Sequence, residues 1–93
     1  MFIPKILIDR LRPGMYGWQV SSEQEVMDED FGDNSIEGCL DNAIDIIPPS
    51  FTLVEILYCG FHMGTFAAGE VRSSAKAISR QIHSLYGALV ETA

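Results

Sequence analysis

The chain has 93 residues, of which 47% are hydrophobic and 10% aromatic, and its formal net charge is −7 at pH 7. The length is that of a single domain, residues 1–93, and the composition is that of a globular rather than a disordered chain. No apolar run approaches the ~20 residues that span a bilayer, and the negative charge argues against direct binding to nucleic acid or to anionic lipid.

The N-terminal segment and the cysteines indicate the compartment. The first apolar stretch contains Pro4, Lys5 and Asp9 and has no small-residue cleavage site, which is not the pattern of a signal peptide. The two cysteines, Cys39 and Cys59, are too few for a secreted disulfide scaffold. We therefore expect a cytoplasmic protein, in the host cytoplasm if a phage encodes it.

The first part of the chain predicts two strands. Residues 3–11 are rich in β-branched and aliphatic side chains and predict the first strand. Arg12–Met15 predicts a type II turn, because Pro13 suits its first central position and Gly14 its second. Residues 15–20 then predict a second strand, which the turn would allow to pair with the first.

The next segment is acidic and is followed by a helical pattern. The apolar residues within 23–34 recur with no sustained helical or strand periodicity, which predicts a loop or a frayed helical turn. Apolar residues at three- and four-residue spacing predict a helix from near Ser35 to Pro48. Its N-terminus has three candidate capping residues, namely Asp33, Asn34 and Ser35.

The second half of the chain predicts a hairpin and a final helix. In chain order the predicted elements are a central strand over residues 51–59, a reversal over 59–64, a partner strand over 64–71 and a helix beginning between Gly69 and Ser74. Gly87 is a candidate for an early end of this helix. The fold class is therefore predicted to be α+β, a small, mostly antiparallel sheet with two helices on one face, in the order β-β-α-β-β-α.

The excess negative charge lies in the middle of the chain. Residues 21–50 carry nine acidic and no basic side chains, whereas residues 1–20 sum to +2 and residues 51–93 to zero. Two columns with four-residue spacing could pair or remain solvated, namely Glu37, Asp41 and Asp45 on one helix and Arg72, Lys76 and Arg80 on the other. We favour the second alternative, in which both columns remain solvated on the flanks of their helices, because an exposed ion pair contributes only about 0–1 kcal/mol to stability.

Residue patterns for catalysis or cofactor binding are weak in this sequence. Cys59 and His62 have the spacing of a metal-ligand pair, and Cys39 and His83 are conceivable further ligands. The favoured alternative is two reduced cysteines in or near the core, a histidine in a turn and a histidine on a helix surface. The acidic surroundings oppose a reactive thiolate, and exposed carboxylates lack the dry pocket that raises the pKa of a general acid. We expect no enzyme activity, no cofactor and no metal.

Phe31 is the aromatic residue with most bearing on function. It interrupts the acidic stretch, where an apolar ring either packs back into the core or serves as an anchor at an interface. Tyr16 and Trp18 alternate on the second predicted strand and are expected to share one face of the sheet.

Two segments resemble known families. The sequence KILIDRLRPGMYGWQV, residues 5–20, resembles the opening of the small N-terminal module that precedes HD-GYP phosphodiesterase domains, where a strand, a Pro-Gly-Met-Tyr turn and a second strand follow one another. No HD domain is present, so this resemblance implies no catalytic residue.

The second resemblance covers GTFAAGEVRSSAKAISRQI, residues 64–82. This segment is similar to the closing strand and Ala-rich helix of several small phage and mobile-element proteins, including some anti-CRISPR proteins. The resemblance implies a small, acidic, non-enzymatic protein that blocks a host complex by occupying its basic nucleic-acid groove.

We therefore expect a non-enzymatic inhibitor whose acidic surface engages a basic, nucleic-acid-handling protein complex, with the carboxylates as phosphate mimics. The expected partner-binding residues are Glu23, Glu25, Asp28, Glu29, Asp30, Phe31, Asp33, Glu37 and Asp41. One alternative is a homodimeric structural or interaction domain without a nucleic-acid-related role. A second alternative is a metal or redox switch that uses Cys59 and His62.

Overall fold

The chain forms five strands and three helices in a computed structural model that describes residues 2–23 and 25–92. In chain order the elements are β1 (Lys5–Arg12), β2 (Met15–Ser22), β3 (Glu25–Asp33), α1 (Ile36–Ile46), β4 (Leu53–Tyr58), β5 (Phe61–Ala67), α2 (Ala68–Ser73) and α3 (Ala75–Thr92). The α+β class is as predicted, with one strand and one helix more than the sequence indicated.

The five strands form one mixed sheet in the order β3-β2-β1-β4-β5. β1 and β4 are parallel, and the other three pairings are antiparallel. Three of the four pairings are thus antiparallel, but the parallel pairing of β1 with β4 makes the sheet mixed, which corrects the predicted sheet type. The reason is α1, which carries the chain from the end of β3 back across the sheet, so that β4 runs in the same direction as β1.

The first turn is as predicted. β1 and β2 pair antiparallel on either side of Pro13 and Gly14, and Gly14 has a φ of 77°. A positive φ at the second central position is what a type II turn requires, and glycine adopts it without steric cost.

The acidic stretch is a strand and not the predicted loop. β3 pairs with β2 over seven register positions, with irregularities that leave Met27 and Gly32 as the extra residues. Each bulge shifts the alternation of side chains by one residue, so no period of two is visible in the sequence. Gln24, which belongs to the acidic stretch, lies outside the described residues.

α1 begins and ends where the sequence predicted. The Ser35 hydroxyl accepts a hydrogen bond of 3.0 Å from the Gly38 amide, which makes Ser35 the N-cap. The helix ends at Ile46, just before Pro48, because proline removes a backbone donor and disfavours a helical residue before it.

The β4–β5 hairpin is tighter than predicted. Cys59 and Gly60 both have positive φ, 50° and 85°, and form a two-residue connection, so that β5 already begins at Phe61. Positive φ at both positions gives a turn whose twist matches the flanking strands. The predicted partner strand over 64–71 was therefore wrong in its second half, where Ala68–Ser73 forms α2.

α3 is longer than predicted. It begins after a break at Ser74 and continues through Gly87 to Thr92, so Gly87 does not end it. Its N-terminal half is fixed by Ala75, Ile78 and Ile82, which are buried in the core. Tyr86 and Leu89, on either side of Gly87, also pack against the core, and this packing offsets the roughly 1 kcal/mol that an interior glycine costs a helix.

The core lies on one face of the sheet. β1, β2 and β4 contribute alternate residues to it, and all three helices contribute their apolar sides, including Leu40, Val71 and Ile82. Trp18 is among these core residues and Tyr16 packs at their margin on the same face, as predicted. The helices thus cover one face of the sheet, and the side chains of the opposite face remain accessible.

Candidate protein-binding site at the acidic edge strand

β3 forms one edge of the sheet and is exposed along its length. Every residue from Glu25 to Gly32 is exposed, and Asp33 is half-buried. Most of the predicted partner-binding residues lie on this strand or directly before it, namely Glu23, Glu25, Asp28, Glu29, Asp30, Phe31 and Asp33. The edge position explains how so many like charges can share one strand, because both sides of it are in contact with solvent.

The direction of each β3 backbone group follows from the hydrogen bonds of β1. The carbonyl groups of Pro4 and Ile8 accept hydrogen bonds from amides of β4 and its following turn, at 2.9 and 2.8 Å. The even-numbered residues of β1 therefore face β4, and the odd-numbered ones face β2.

The same alternation continues across the sheet. Leu7 lies opposite Gln19 and exchanges hydrogen bonds with it, so the even-numbered residues of β2 face β3. Their partners are Asp28 and Asp30. The backbone groups of Glu29 and Phe31 consequently point outward from the edge of the sheet.

Carboxylates occupy the outward amides of this edge. The Glu29 amide donates to Asp28 Oδ1 at 2.8 Å, and the Phe31 amide donates to Asp30 Oδ1 at 2.8 Å. The groups that remain available to a partner at these two positions are therefore hydrogen-bond acceptors, namely the oxygens of backbone carbonyls and carboxylates. Such an edge is poorly suited to pair with another strand, which needs both donors and acceptors, and is well suited to Lys and Arg side chains.

The protein's own basic residues leave these carboxylates unneutralised. Among the described residues the contact within 4.0 Å between an acidic and a basic side chain joins Glu55 Oε2 to the imidazole of His62, at 3.7 Å, and lies on the other half of the sheet. Arg72 donates to the Ile47 carbonyl at 3.1 Å, at the end of α1. The charged columns on the helices therefore remain solvated flanks in the described chain, as favoured from the sequence.

Asp33 joins the acidic strand to α1. Its Oδ1 accepts a hydrogen bond of 2.8 Å from Asn42 Nδ2. It also lies beside Cys39, where burial, with the negative charge and a hydrogen bond of Asp33, raises the pKa of the thiol to about 12. Asp33 thus has a structural role in addition to its charge.

Glu37 and Asp41 lie on the flank of α1 away from Asn42. Glu37 borders a shallow groove between α1 and α3 together with Arg80 and His83. Asp41 follows Glu37 by one helical turn on the same flank. The sequence placed these two residues in one acidic set with the β3 carboxylates, and the fold separates them into a second surface.

Phe31 projects from the sheet and does not pack into the core. Its side chain is 68% exposed, and it lies opposite Gly17 on the face that the helices leave uncovered. Of the two alternatives for this ring, the exposed one is therefore realised.

The candidate metal ligands occupy different surroundings. Cys39 is buried on α1, whereas Cys59 is half-exposed in the β4–β5 turn, and both are free thiols. His62 is engaged with Glu55. Across residues 2–23 and 25–92, no group of three or more His, Cys, Asp or Glu side chains is arranged to hold a metal ion.

Two further findings concern membrane-spanning helices and similarity to known proteins. Within the described part of it, no helix combines the length and the apolar character needed to cross a membrane. Comparisons with protein-family models, curated proteins and solved structures found no match to this chain.

Proposed function

We propose that this protein is a non-enzymatic inhibitor that binds a basic surface of a nucleic-acid-handling protein through the acidic edge strand β3. The observation that carries the proposal is the edge itself, where Asp28, Glu29 and Asp30 are exposed in succession and free of ion pairs within the described chain. Unpaired carboxylates held on a rigid element give a field that attracts cationic surfaces.

The spacing along β3 supports phosphate mimicry. Alternate residues of a strand are about 6.6–6.8 Å apart, so Asp28 and Asp30 present charges at a separation comparable with that of neighbouring phosphates on one nucleic-acid strand. Each of these carboxylates is held by a backbone amide, which reduces the entropy that binding would cost. A pocket of Lys and Arg side chains that normally receives phosphates would find similar acceptors here.

The two parts of the edge would make different contributions. The carboxylates would raise the association rate and select basic partners, an effect that salt screens. Phe31 would add affinity by losing its exposed apolar surface to the partner. An interaction of this kind weakens steeply with salt but retains a salt-resistant component.

The test is a charge reversal on β3 with a matched control on α1. The triple variant Asp28→Lys, Glu29→Lys and Asp30→Lys should abolish displacement of labelled duplex DNA from a lysine-rich histone, measured by fluorescence anisotropy. The control variant Glu37→Lys, Asp41→Lys and Asp45→Lys has the same net charge and changes the separate flank of α1. We expect it to displace DNA nearly as well as the wild type does.

The comparison of the two variants decides the proposal. Equal loss in both would show that only net charge matters, and unchanged displacement by the β3 variant would remove the proposal. Circular dichroism of both variants checks that the fold is retained, which we expect because all six positions are exposed except the half-buried Glu37.

A further inference from the structure

The sheet face opposite the helices carries more apolar surface than a solvated face normally does. Leu11 is 53% exposed and Phe31 68% exposed, and Leu7 is half-buried on the same face. One-sided antiparallel sheets usually place polar side chains on the solvent face. Leu11 and Phe31 lie on β1 and β3, beside the acidic edge, and a separate exposed leucine of this face, Leu53, lies on β4.

Gly17, which is itself buried, is the floor of a depression at the centre of this region. It lies in the middle of β2, in one cross-strand row with Asp9 and Phe31. A Cβ atom placed on it would lie 3.6 Å from Leu11 Cδ1 and 3.4 Å from Phe31 Cβ, so these two side chains border the missing one. Glycine inside a strand weakens it and often marks a place where another molecule approaches closely.

The depression belongs to a groove of about 480 Å³ with an apolar floor and an acidic rim. Leu7, Leu11, Gly17 and Phe31 supply the apolar part, and Asp9 and Glu29 supply two carboxylates. Asp30 also lines the groove but lies opposite the core residue Trp18, so its side chain projects from the other face of the sheet. Among the described residues that line it there is no Lys, Arg or His. A second copy of this chain would bring the same carboxylates toward it, whereas a basic partner would complement them.

We infer that this groove receives an aliphatic side chain from a basic protein segment, flanked there by Lys or Arg residues that meet Asp9 and Glu29. The inference rests on the proposed function and adds to it the position of the apolar anchor. The partner's side chain enters beside Gly17, between Leu11 and Phe31, and its cationic neighbours reach the rim. The groove thereby selects among basic surfaces, which charge alone distinguishes poorly.

The experiment uses two short synthetic peptides of equal charge, one in which Arg alternates with Leu and one in which Arg alternates with Ser. Fluorescence anisotropy with labelled peptides gives their dissociation constants. The wild type should bind the Leu peptide at least about tenfold more tightly, since a leucine side chain buried in the groove leaves water and a serine side chain gains little by doing so.

The variant Gly17→Val fills the depression. We expect it to lose the preference for the Leu peptide while its affinity for the Ser peptide stays within about twofold of the wild type. Its melting temperature should equal or exceed that of the wild type, because valine suits a strand interior better than glycine. Stabilisation together with lost binding would be hard to reconcile with a merely structural glycine.

Leu11→Ser gives a second test that does not depend on how the fold tolerates Val at position 17. Its matched control is Leu53→Ser, which changes an exposed leucine on β4 outside the groove. Loss of the Leu-peptide preference in the first variant alone supports the inference. Equal binding of both peptides by the wild type, or a preference that survives in Gly17→Val and Leu11→Ser, overturns it.

The same peptides separate this inference from the proposed function. If the wild type binds both peptides equally and the β3 charge reversal abolishes binding of both, the proposed function is supported and the inference about the groove is overturned. If that reversal leaves binding of the Ser peptide unchanged, the proposed function is overturned, and so is the inference about the groove that rests on it.

Discussion

Cys39 and Cys59 differ in what their surroundings permit. Cys39 is fully buried on α1, and its thiol lies next to the carboxylate of Asp33, so its pKa is raised from the ordinary value of 9.0 to about 12. Cys59 is half-exposed at a positive φ of 50° in a hairpin turn. Because the thiolate is the reactive species, Cys39 is unsuited to nucleophilic or redox chemistry in the folded protein.

The raised pKa of Cys39 predicts a pH-dependent stability. Above pH 9 the thiol ionises in the unfolded chain but stays protonated in the folded one until about pH 12. The free energy of unfolding should therefore fall between these pH values, by roughly 1.4 kcal/mol per pH unit from this group. Urea unfolding at pH 8 and pH 10 measures the effect, and Cys39→Ala should show a smaller fall. An identical fall in both proteins would contradict the assignment.

Single residues also explain features of β3 that composition does not. Gly32 has a φ of 107° and lies at a bulge, where the strand bends toward α1. Asp33 follows and holds Asn42, so the acidic strand is joined to the helix by a side-chain hydrogen bond. The residue that ends β3 is therefore also the one that connects it to the core layer.

At the level of elements, α3 is anchored by its first half. Ile78 and Ile82 are buried, whereas Leu85 is 40% exposed and Val90 lies further toward the C-terminal end of the helix, also exposed. Apolar residues continue along the helix to Leu89, but full burial ends at Ile82, and Tyr86 and Leu89 pack against the core while only partly buried.

This division predicts unequal costs of truncation along one helix. Ile82→Ala should lower the free energy of unfolding by about 2–5 kcal/mol, because it leaves a cavity in the core. Leu85→Ala, one turn away, should cost less than about 1 kcal/mol because much of that side chain remains in water. Chemical denaturation of both variants measures this difference, and similar costs would mean that α3 is buried over more of its length.

Phe61 and Tyr86 connect the middle of α3 to the β4–β5 hairpin. Tyr86 packs edge-on against Tyr58, with ring centroids 4.8 Å apart, and against Phe61 at 5.7 Å. Edge-to-face pairs of this kind contribute about 0.5–1.5 kcal/mol beyond their buried area. They hold the middle of α3 against the β4–β5 turn beyond the last fully buried isoleucine.

At the scale of the whole molecule, charge and sheet topology reinforce each other. The acidic strand lies at one edge of the sheet, and the opposite edge, β5, carries no acidic residue. The field is therefore one-sided, although the net charge alone gives no direction. A one-sided field orients the protein as it approaches a basic surface.

The occupied amides of β3 predict how the protein behaves in concentrated solution. Asp28→Ala together with Asp30→Ala frees the outward amides of Glu29 and Phe31 and removes two charges, so strand-to-strand association should increase. Light scattering and thioflavin T fluorescence measure it at several concentrations. The control Asp41→Ala with Asp45→Ala loses the same charge on α1. Equal association in the two variants would attribute the effect to charge alone.

Local signals made several elements predictable from the sequence. The Pro13–Gly14 turn, the Ser35 cap and the end of α1 before Pro48 each depend on residues that are close together in the chain. These features can therefore be predicted from the sequence alone. The concentration of charge in residues 21–50 is likewise a property of the sequence. These features locate a charged surface on a small α+β domain without giving its shape.

The tertiary structure decided the rest, because pairing between strands depends on backbone groups far apart in the chain. The acidic stretch is a strand only because β2 offers it a free edge, and its two bulges remove the alternation by which a strand is recognised. Exposure of Phe31 and its position across from Gly17 follow from that register. The amino-acid sequence specifies how many charges this protein carries and where they lie along the chain, whereas the register of β3 on β2 sets the direction in which they project.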